Sequence, residues 1–242
     1  DLLDFSRATS QSIDIDLSLA GVQTVNANLS LALGSNATFE NVLGGPLADF
    51  LAGNALPNNL NGGSGNDLLA GGAGNDALVG GPGDDIYAFI TDAPLGTDTL
   101  DESGGGIDTL DFSASTTLAV AVNLTLTTSQ AINSNLSLVL GSATNFENVI
   151  GGPKADTLTG NALDNVLAGG PGNDKLLGGA GNDTLMGGVG NDIYSFTANA
   201  ALGGDTLVES DDSGNDTLDF SATTAAGGIE VRAVGTAFSV QV

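Results

Sequence analysis

The chain has 242 residues, of which 29 are acidic and 4 are basic, giving a formal net charge of −25. Without a basic patch to neutralise phosphates, nucleic acids and anionic membrane surfaces are excluded as partners. Cys and His are both absent, which excludes disulfides and thiolate or imidazole metal sites. The remaining carboxylate oxygens suit hard cations such as calcium. We find no signal peptide and no apolar run long enough to cross a bilayer, so no membrane insertion is expected.

Alternating apolar and polar residues at 12–19 and 28–33 predict short strands with one buried face in the first segment. The same alternation returns at 119–126 and 135–140. Asp14 and Asp16 alternate with Ile, which is typical of a solvated strand face. Glu40 and Glu147 stand in matching Phe-Glu-Asn-Val contexts and are interpreted as turn hydrogen bonders rather than catalytic acids. No stretch has helical periodicity, so the predicted class is all-β.

Residues 44–88 and 151–195 each divide into five consecutive nonamers that begin with Gly. Position 8 is Leu or Tyr in all ten nonamers, and position 6 is Asp except at Asn58 and Asn165. The second array begins 107 residues after the first, and a third copy begins at residue 219. The predicted organisation is a strand segment at 1–43, an array with trailing rungs at 44–110, a strand segment at 111–150, a second array with trailing rungs at 151–218, and the start of a truncated third copy at 219–242.

The nonamer itself indicates how these arrays fold. Its first six residues are rich in Gly and Asn, which tolerate tight turning, and its last three form a minimal strand. Two nonamers would make one coil, with position 8 pointing inward and stabilised by its neighbours in the stack. Asp67 and Asp85 would then lie about 4.8 Å apart, the usual strand spacing. A cation between the coils would convert their mutual repulsion into ligation.

The nonamers resemble the RTX (repeats-in-toxin) motif G-G-x-G-x-D-x-U-x, in which U is a large apolar residue. The resemblance is strongest at 62–88 and 169–195. It implies a parallel β-roll, or β-solenoid, with calcium ions between successive turns. In this family one turn supplies the Asp and the carbonyls of positions 2 and 4. The turn two repeats later supplies its own Asp and the carbonyls of positions 1 and 3.

The resemblance therefore implies one set of carboxylate ligands and one set of carbonyl ligands. The carboxylates are Asp49, Asp67, Asp76, Asp85, Asp156, Asp174, Asp183 and Asp192, with Asp98, Asp108, Asp205 and Asp216 in trailing rungs that keep the G-x-D-x-L core. The carbonyls belong to Gly62, Gly63, Ser64, Gly65, Gly71, Ala73, Gly80, Pro82, Gly169, Gly170, Pro171, Gly172, Gly178, Ala180, Gly187 and Val189. Asn58 and Asn165 replace the carboxylate with an amide, which predicts weaker sites. The alternative is that Asp residues close the glycine-rich turns without a metal.

Two classes of function fit this sequence, and neither requires catalytic residues in this chain. The favoured one is a calcium-binding structural segment of a large repetitive extracellular protein, such as a matrix, filament, surface-layer or adhesin stalk. It would fold on binding several calcium ions and associate end to end with further copies. The alternative is an accessory module of a secreted toxin or hydrolase whose catalytic domain lies elsewhere. Both predict a secreted protein, extracellular or on the cell surface of a bacterium. A third hypothesis, a flat carbohydrate-binding or ice-binding face, lacks regular Thr rows.

Overall fold

The structure is a computed structural model, and it describes residues 1–34, 39–197, 202–209 and 214–224. The strands, in chain order, are β1 (Leu2–Asp4), β2 (Asp14–Asp16), β3 (Val22–Asn26), β4 (Leu29–Ala32), β5 (Asn41–Leu43), β6 (Phe50–Ala52), β7 (Asn59–Asn61), β8 (Leu68–Ala70), β9 (Ala77–Val79), β10 (Ile86–Ala88), β11 (Gly96–Asp101), β12 (Thr109–Asp111), β13 (Ala121–Asn123), β14 (Gln130–Ala131), β15 (Leu136–Leu140), β16 (Asn148–Ile150), β17 (Thr157–Thr159), β18 (Val166–Pro171), β19 (Lys175–Leu177), β20 (Thr184–Val189), β21 (Ile193–Ser195), β22 (Thr206–Val208) and β23 (Thr217–Asp219). Within these described ranges there is no helix, and hence no helix that could cross a membrane.

The chain forms a parallel β-roll in which two nonamers make one coil. Strand β6 pairs parallel with β8, which places Leu51 opposite Leu69, and β8 pairs with β10, which places Leu69 opposite Tyr87. On the other wall β7 pairs with β9, and Leu60 lies opposite Leu78. Paired residues on one wall are therefore 18 positions apart in the sequence. Each glycine-rich turn takes the chain to the opposite wall, so the chain returns to the same wall only after two nonamers. The predicted all-β fold and the two-nonamer coil are both confirmed.

One wall of the roll runs through both arrays without interruption, whereas the other wall is divided. The first is a nine-stranded sheet in the order β2-β6-β8-β10-β12-β16-β18-β20-β22. The second wall contains a seven-stranded sheet, β1-β5-β7-β9-β11-β15-β14, and a five-stranded sheet, β13-β17-β19-β21-β23. The antiparallel pair β14–β15 separates these two sheets, since β15 pairs parallel with β11 and β14 pairs only with β15 among the described strands.

The core is a single layer of side chains from each wall, supplied by position 8. Leu51, Leu69 and Tyr87 on one wall, and Leu60 and Leu78 on the other, are fully buried. A three-residue strand turns only its middle side chain inward, so each coil adds one apolar residue per wall. A single coil therefore buries too little apolar surface to be stable by itself, and stability comes from stacking.

Some predicted strands are shorter than the sequence pattern suggested. The alternation at 12–19 contains only β2 (Asp14–Asp16), although Ile13, Ile15 and Leu17 are all buried as predicted. The alternation at 28–33 forms β4, which pairs antiparallel with β3 rather than joining the parallel stack. The difference arises because a period of two reports which side chains are buried, not which strand is the neighbour. Most of the predicted third copy, from 225 onward, lies outside the described residues.

Equivalent strands of the two 107-residue units lie on opposite walls. Strand β5 belongs to the seven-stranded sheet, but its counterpart β16 belongs to the nine-stranded sheet. Likewise β6 lies in the nine-stranded sheet and its counterpart β17 in the five-stranded sheet. One unit thus contains an odd number of half-coils, so the second array enters the roll half a coil out of phase with the first.

Candidate metal centre

Each position-6 Asp connects its own coil to the coil before it. The backbone N–H of Asp49 donates to Oδ1 of Asp67 (2.7 Å), that of Asp67 to Oδ1 of Asp85 (2.7 Å), and that of Asp85 to Oδ1 of Asp108 (2.9 Å). The same connection continues in the second array, where the N–H of Asp174 donates to Oδ1 of Asp192 (2.7 Å). We call such a row an aspartate ladder. In it, one carboxylate oxygen of each Asp is used by the backbone.

The second oxygen, Oδ2, is the unusual feature of the ladder. Oδ2 is buried and has no hydrogen-bond partner in Asp67, Asp76, Asp85, Asp98, Asp108, Asp174 and Asp183. It points into its own turn: the Oδ2 of Asp67 lies so close to Gly62 that a Cβ at that glycine would collide with it. Buried polar atoms without partners are rare in proteins and call for an explanation such as a bound ion. A row of them with one orientation fits a set of cation ligands.

Burial raises the pKa of these carboxyls, because a charged group loses its hydration inside the roll. The pKa of Asp67 and of Asp174 rises from 3.8 to about 7, mainly through burial and partly through the charges of the ladder neighbours. For Asp76 and Asp183 burial raises the pKa to about 6, and for Asp98 to about 7. A divalent cation held by these oxygens would remove the penalty for ionising them.

The first Asp of each array differs from those that follow. Both oxygens of Asp49 accept backbone hydrogen bonds, Oδ1 from Ile13 (2.7 Å) and Oδ2 from Gly45 (2.6 Å). Asp156 has the same two contacts, from Val120 (2.8 Å) and Gly152 (2.7 Å). These two predicted ligands lie in the ladder as expected, but their turns are already closed by backbone N–H groups.

The amides at Asn58 and Asn165 close their turns in a related way. The side-chain oxygen of Asn58 accepts from the backbone of Asn54, and that of Asn165 from the backbone of Asn161, both at 2.8 Å. Their Nδ2 groups donate to the backbone carbonyls of Glu40 (3.2 Å) and Glu147 (3.0 Å). Asx-type turn closure, the alternative considered for every Asp, is therefore what the structure shows in the first coil of each array.

The predicted carbonyl ligands line the gaps between successive turns. Gly65 N–H donates to Pro82 O (2.8 Å), and in the second array Gly172 N–H donates to Val189 O (2.8 Å). A carbonyl oxygen has two lone pairs, so one remains on each of these oxygens for another contact. Gly81 has φ 102°, and a Cβ there would collide with the carbonyl oxygen of Gly63. The carbonyls thus face the next turn, and their role as ligands stays a prediction.

The trailing rungs extend the ladders, as the sequence indicated. Asp98 and Asp108 are buried, and Asp205 and Asp216 are half-buried. Asp98 accepts a hydrogen bond from the backbone N–H of Asp76 (3.0 Å). Asp205 accepts from Asp183 (3.1 Å), and Asp216 from Asp192 (3.0 Å). These rungs therefore have the same geometry as the regular repeats despite their different spacing.

Glu147 joins the two arrays along one edge of the roll, which the sequence did not indicate. Its Oε2 accepts from the backbone N–H of Asp108 (2.9 Å), as a position-6 Asp would do. The hydrogen-bonding role expected for Glu147 is confirmed, but it belongs to a longer row than its local turn. That edge carries Asp49, Asp67, Asp85, Asp108, Glu147, Asn165, Asp183 and Asp205 in succession.

A second polar ladder, made by position 5, was also missed. Oδ1 of Asn66 accepts from the backbone N–H of Asp84 (3.1 Å), and Oδ1 of Asn173 accepts from that of Asn191 (2.9 Å). This ladder donates in the opposite direction to the aspartate ladder, from the later coil to the earlier one. The sequence contained a signal for it, since position 5 is Asn or Asp in most of the nonamers.

Two glutamates complete acidic clusters at the end of each array and were not among the predicted ligands. Carboxylate oxygens of Asp85, Glu102 and Asp108 lie within 4.8 Å of one another, and Asp192, Glu209 and Asp216 form the matching group. Burial, reinforced by the neighbouring Asp charges, raises the pKa of Glu102 to about 9. The available signal was a Glu following the trailing strand at 102 and again 107 residues later.

Comparison with known proteins agrees with this geometry. A family model described as the RTX calcium-binding nonapeptide repeat, four copies, matches residues 52–87 and again residues 159–194. No curated protein matches the chain. The two matched segments are related by the same 107-residue offset that relates the arrays. With parallel coils, glycine-rich turns and inward position-8 side chains in place, the chain contains two blocks of RTX calcium-binding nonapeptide repeats.

Proposed function

We propose that this chain is a calcium-dependent structural segment of a large repetitive extracellular protein, and that it folds and becomes rigid as calcium binds. RTX repeats bind calcium and are typical of secreted bacterial proteins. The ions would be held between successive coils by the position-6 carboxylates and the turn carbonyls. The chain would act as a scaffold, without catalysis of its own.

The observation that carries this proposal is the row of buried Oδ2 atoms without partners. Seven Asp side chains place this oxygen on the inside of a turn, where it is buried and no protein donor satisfies it. Several like charges this close together oppose folding, and a divalent cation between them converts the repulsion into attraction. In a low-calcium compartment the repulsion would keep the chain expanded, whereas millimolar calcium outside would fold it.

Circular dichroism tests the proposal. Chelation with EDTA should remove the β-sheet signal, and excess calcium should restore it, while magnesium at the same concentration should restore much less. Asp67→Asn should raise the calcium concentration needed for folding. Asp14→Asn is the matched control, because Asp14 is exposed on the strand β2 and should leave the calcium midpoint unchanged. A β-sheet signal that survives complete chelation would contradict the proposal.

Self-association along the roll axis is a second part of the proposed function. A parallel roll is an open stack of strands, as in the pairing of β15 with β11, and open strand edges favour further pairing. We therefore propose that copies of the roll associate end to end in calcium.

Light scattering tests this part of the proposal independently. Mass should increase with protein concentration in calcium and should fall to that of one chain when calcium is chelated. A single-chain mass in saturating calcium, for protein that is folded by circular dichroism, would contradict self-association. It would leave the calcium-dependent fold untouched.

A further inference from the structure

Glu102 occupies a place that belongs to glycine in the regular repeats. Strand β11 pairs with β9 so that Asp101 lies opposite Val79, which puts Glu102 over Gly80, the first residue of its nonamer. A Cβ on Gly80 would collide with both Asp85 and the Glu102 carboxylate. The Glu102 side chain is therefore folded into the roll above the last turn, and only 1% of its surface is exposed.

Tyr87 fixes one oxygen of this carboxylate and leaves the other unsatisfied. The Tyr87 hydroxyl donates to Glu102 Oε1 and accepts from the backbone N–H of Gly80 (2.7 Å). Glu102 Oε2 is buried without a donor when the carboxylates are ionised, as are Oδ2 of Asp85 and Oδ2 of Asp108, and the Glu102 and Asp108 carboxyls are close enough for a hydrogen bond between them if one is protonated. The cluster thus contains unsatisfied oxygens from three separate carboxylates, all buried.

The dimensions of the cluster fit one calcium ion. Oxygens bound to the same calcium at about 2.3–2.6 Å can be separated by at most about 5 Å. The carboxylate oxygens of Asp85, Glu102 and Asp108 lie within 4.8 Å of one another. No Lys or Arg side chain is among the contacts that the structure shows for these three carboxylates. A divalent cation is therefore the group that suits this cluster.

The arrangement occurs twice. In the second unit Glu209 follows β22, which pairs with β20 so that Val208 lies opposite Met186. The Tyr194 hydroxyl donates to Glu209 Oε1 and accepts from the backbone N–H of Gly187 (2.7 Å). Both tyrosines replace the Leu of position 8 in the last nonamer of their array. The exchange of Leu for Tyr thus accompanies the exchange of Gly for Glu.

We propose that Glu102 is a direct calcium ligand that closes the first array with a three-carboxylate site, that Tyr87 is its positioning residue, and that Glu209 and Tyr194 do the same in the second array. This deepens the proposed function, on which it rests. It assigns a ligand that the nine-residue pattern lacks, since position 1 of that pattern offers only a glycine carbonyl. A third carboxylate gives this site a higher charge than the sites between regular repeats, so it should bind calcium most tightly.

The chain supplies its own probe for this site. It contains two tyrosines and no tryptophan, and both tyrosines contact the proposed glutamate ligands. Terbium(III) occupies calcium sites, and its luminescence is sensitised by an aromatic ring only at short range. Excitation of tyrosine should therefore report terbium most strongly at these two sites, which lie nearest to the rings. Tyr194→Phe leaves Tyr87 as the single reporter, of the first site.

In the Tyr194→Phe chain, terbium should give tyrosine-sensitised luminescence that excess calcium displaces. Adding Glu102→Gln should weaken terbium and calcium binding at this site by about tenfold or more, since even outer-shell partners cost 10–100-fold. Glu40→Gln is the matched control, because Glu40 lies outside the cluster, and it should leave the titration unchanged. Tyr87→Phe in a Tyr194-containing chain should abolish half of the signal and weaken calcium binding by loosening Glu102.

Two results would overturn the inference. Identical terbium titrations with and without Glu102→Gln would mean that Glu102 is a neutral plug, protonated and hydrogen-bonded within the roll. Equilibrium dialysis would lead to the same conclusion if Glu102→Gln left the number of calcium ions bound at low free calcium unchanged. If wild-type protein failed to fold with calcium at all, the proposed function itself would fall. If it folded but Glu102→Gln changed neither measurement, only the terminal site would be rejected.

Discussion

Without calcium, the roll should become more stable as the pH falls, which is the reverse of its behaviour with calcium. Calcium would be removed by chelation and desalting, and the protein would then be unfolded in urea at several pH values between 5 and 8. The reason lies in the buried ladder carboxyls, whose pKa is raised in the fold. A carboxyl with a raised pKa favours folding below its unfolded value, near 3.8, and this contribution is lost as the pH rises through the folded value.

The magnitude follows from the individual groups. A pKa raised from 3.8 to about 7, as for Asp67 and Asp174, makes ionisation in the fold cost roughly 4 kcal/mol more than in water. Ionisation of both residues would remove several kcal/mol of stability above pH 7, a large part of the whole stability of a typical domain, about 5–15 kcal/mol. The metal-free chain should therefore be unfolded at pH 8 and regain β-sheet as the pH falls through 7 and 6.

Calcium should reverse the slope, because protons and calcium compete for the same oxygens. Far-ultraviolet circular dichroism at each pH, with calcium and without it, measures both slopes. Asp67→Asn should flatten the metal-free slope, since the amide cannot ionise, whereas the exposed Asp14→Asn should not. A metal-free protein that is as stable at pH 8 as at pH 5 would show that the ladder carboxylates do not oppose folding.

Three further predictions concern packing, backbone and assembly. In a urea titration with calcium, Leu78→Ala should lower the free energy of unfolding by about 2–5 kcal/mol, because Leu78 is fully buried. Val22→Ala, at a site 77% exposed, should change it little. Gly81→Ala should lower the free energy of unfolding by about 1–3 kcal/mol, since Gly81 has φ 102° and faces the Gly63 carbonyl. Gly21→Ala, with open space around it, is the control, and equal free energies of unfolding for the two variants in the urea titration would contradict this account. Chelation should also dissociate any assemblies to single chains, as measured by light scattering.

The regular repeats were the part of the fold most open to prediction. Each nonamer repeats the same local chemistry, with a turn that only Gly and Asn accommodate easily and a single Leu or Tyr for the core. Local chemistry of this kind fixes the coil, since neighbouring repeats have the same length and stack in phase. The inward position of Leu69 and Leu78, and the stacking of Asp67 on Asp85, follow from the period alone.

The segments outside the arrays were less open to prediction. The alternation at 28–33 and 135–140 correctly indicated strands, but it could not show that each belongs to an antiparallel hairpin. Pairing depends on which edge is available when the strand arrives, and a period of two contains no such information. The trailing Asp98 and Asp108 were recognised from the G-x-D-x-L core, whereas Glu147 was not assigned to the ladder, because its row is completed by residues far away in the chain.

The sequence by itself determined the coil, the inward Leu and Tyr side chains, and the chemistry of the Asp-bearing turns, because all of these are properties of nine consecutive residues. The tertiary structure decided which carboxylates meet. The odd number of half-coils in each unit moves Asp183 onto the same edge as Asp67 and Asp85, although Asp174 and Asp192 are their counterparts in sequence. The pairing of β11 with β9 places Glu102 over Gly80 and beside Asp108, within a cluster that no single repeat contains. These contacts depend on how many residues, and therefore how many half-coils, separate the residues that meet. Local sequence patterns do not report that number.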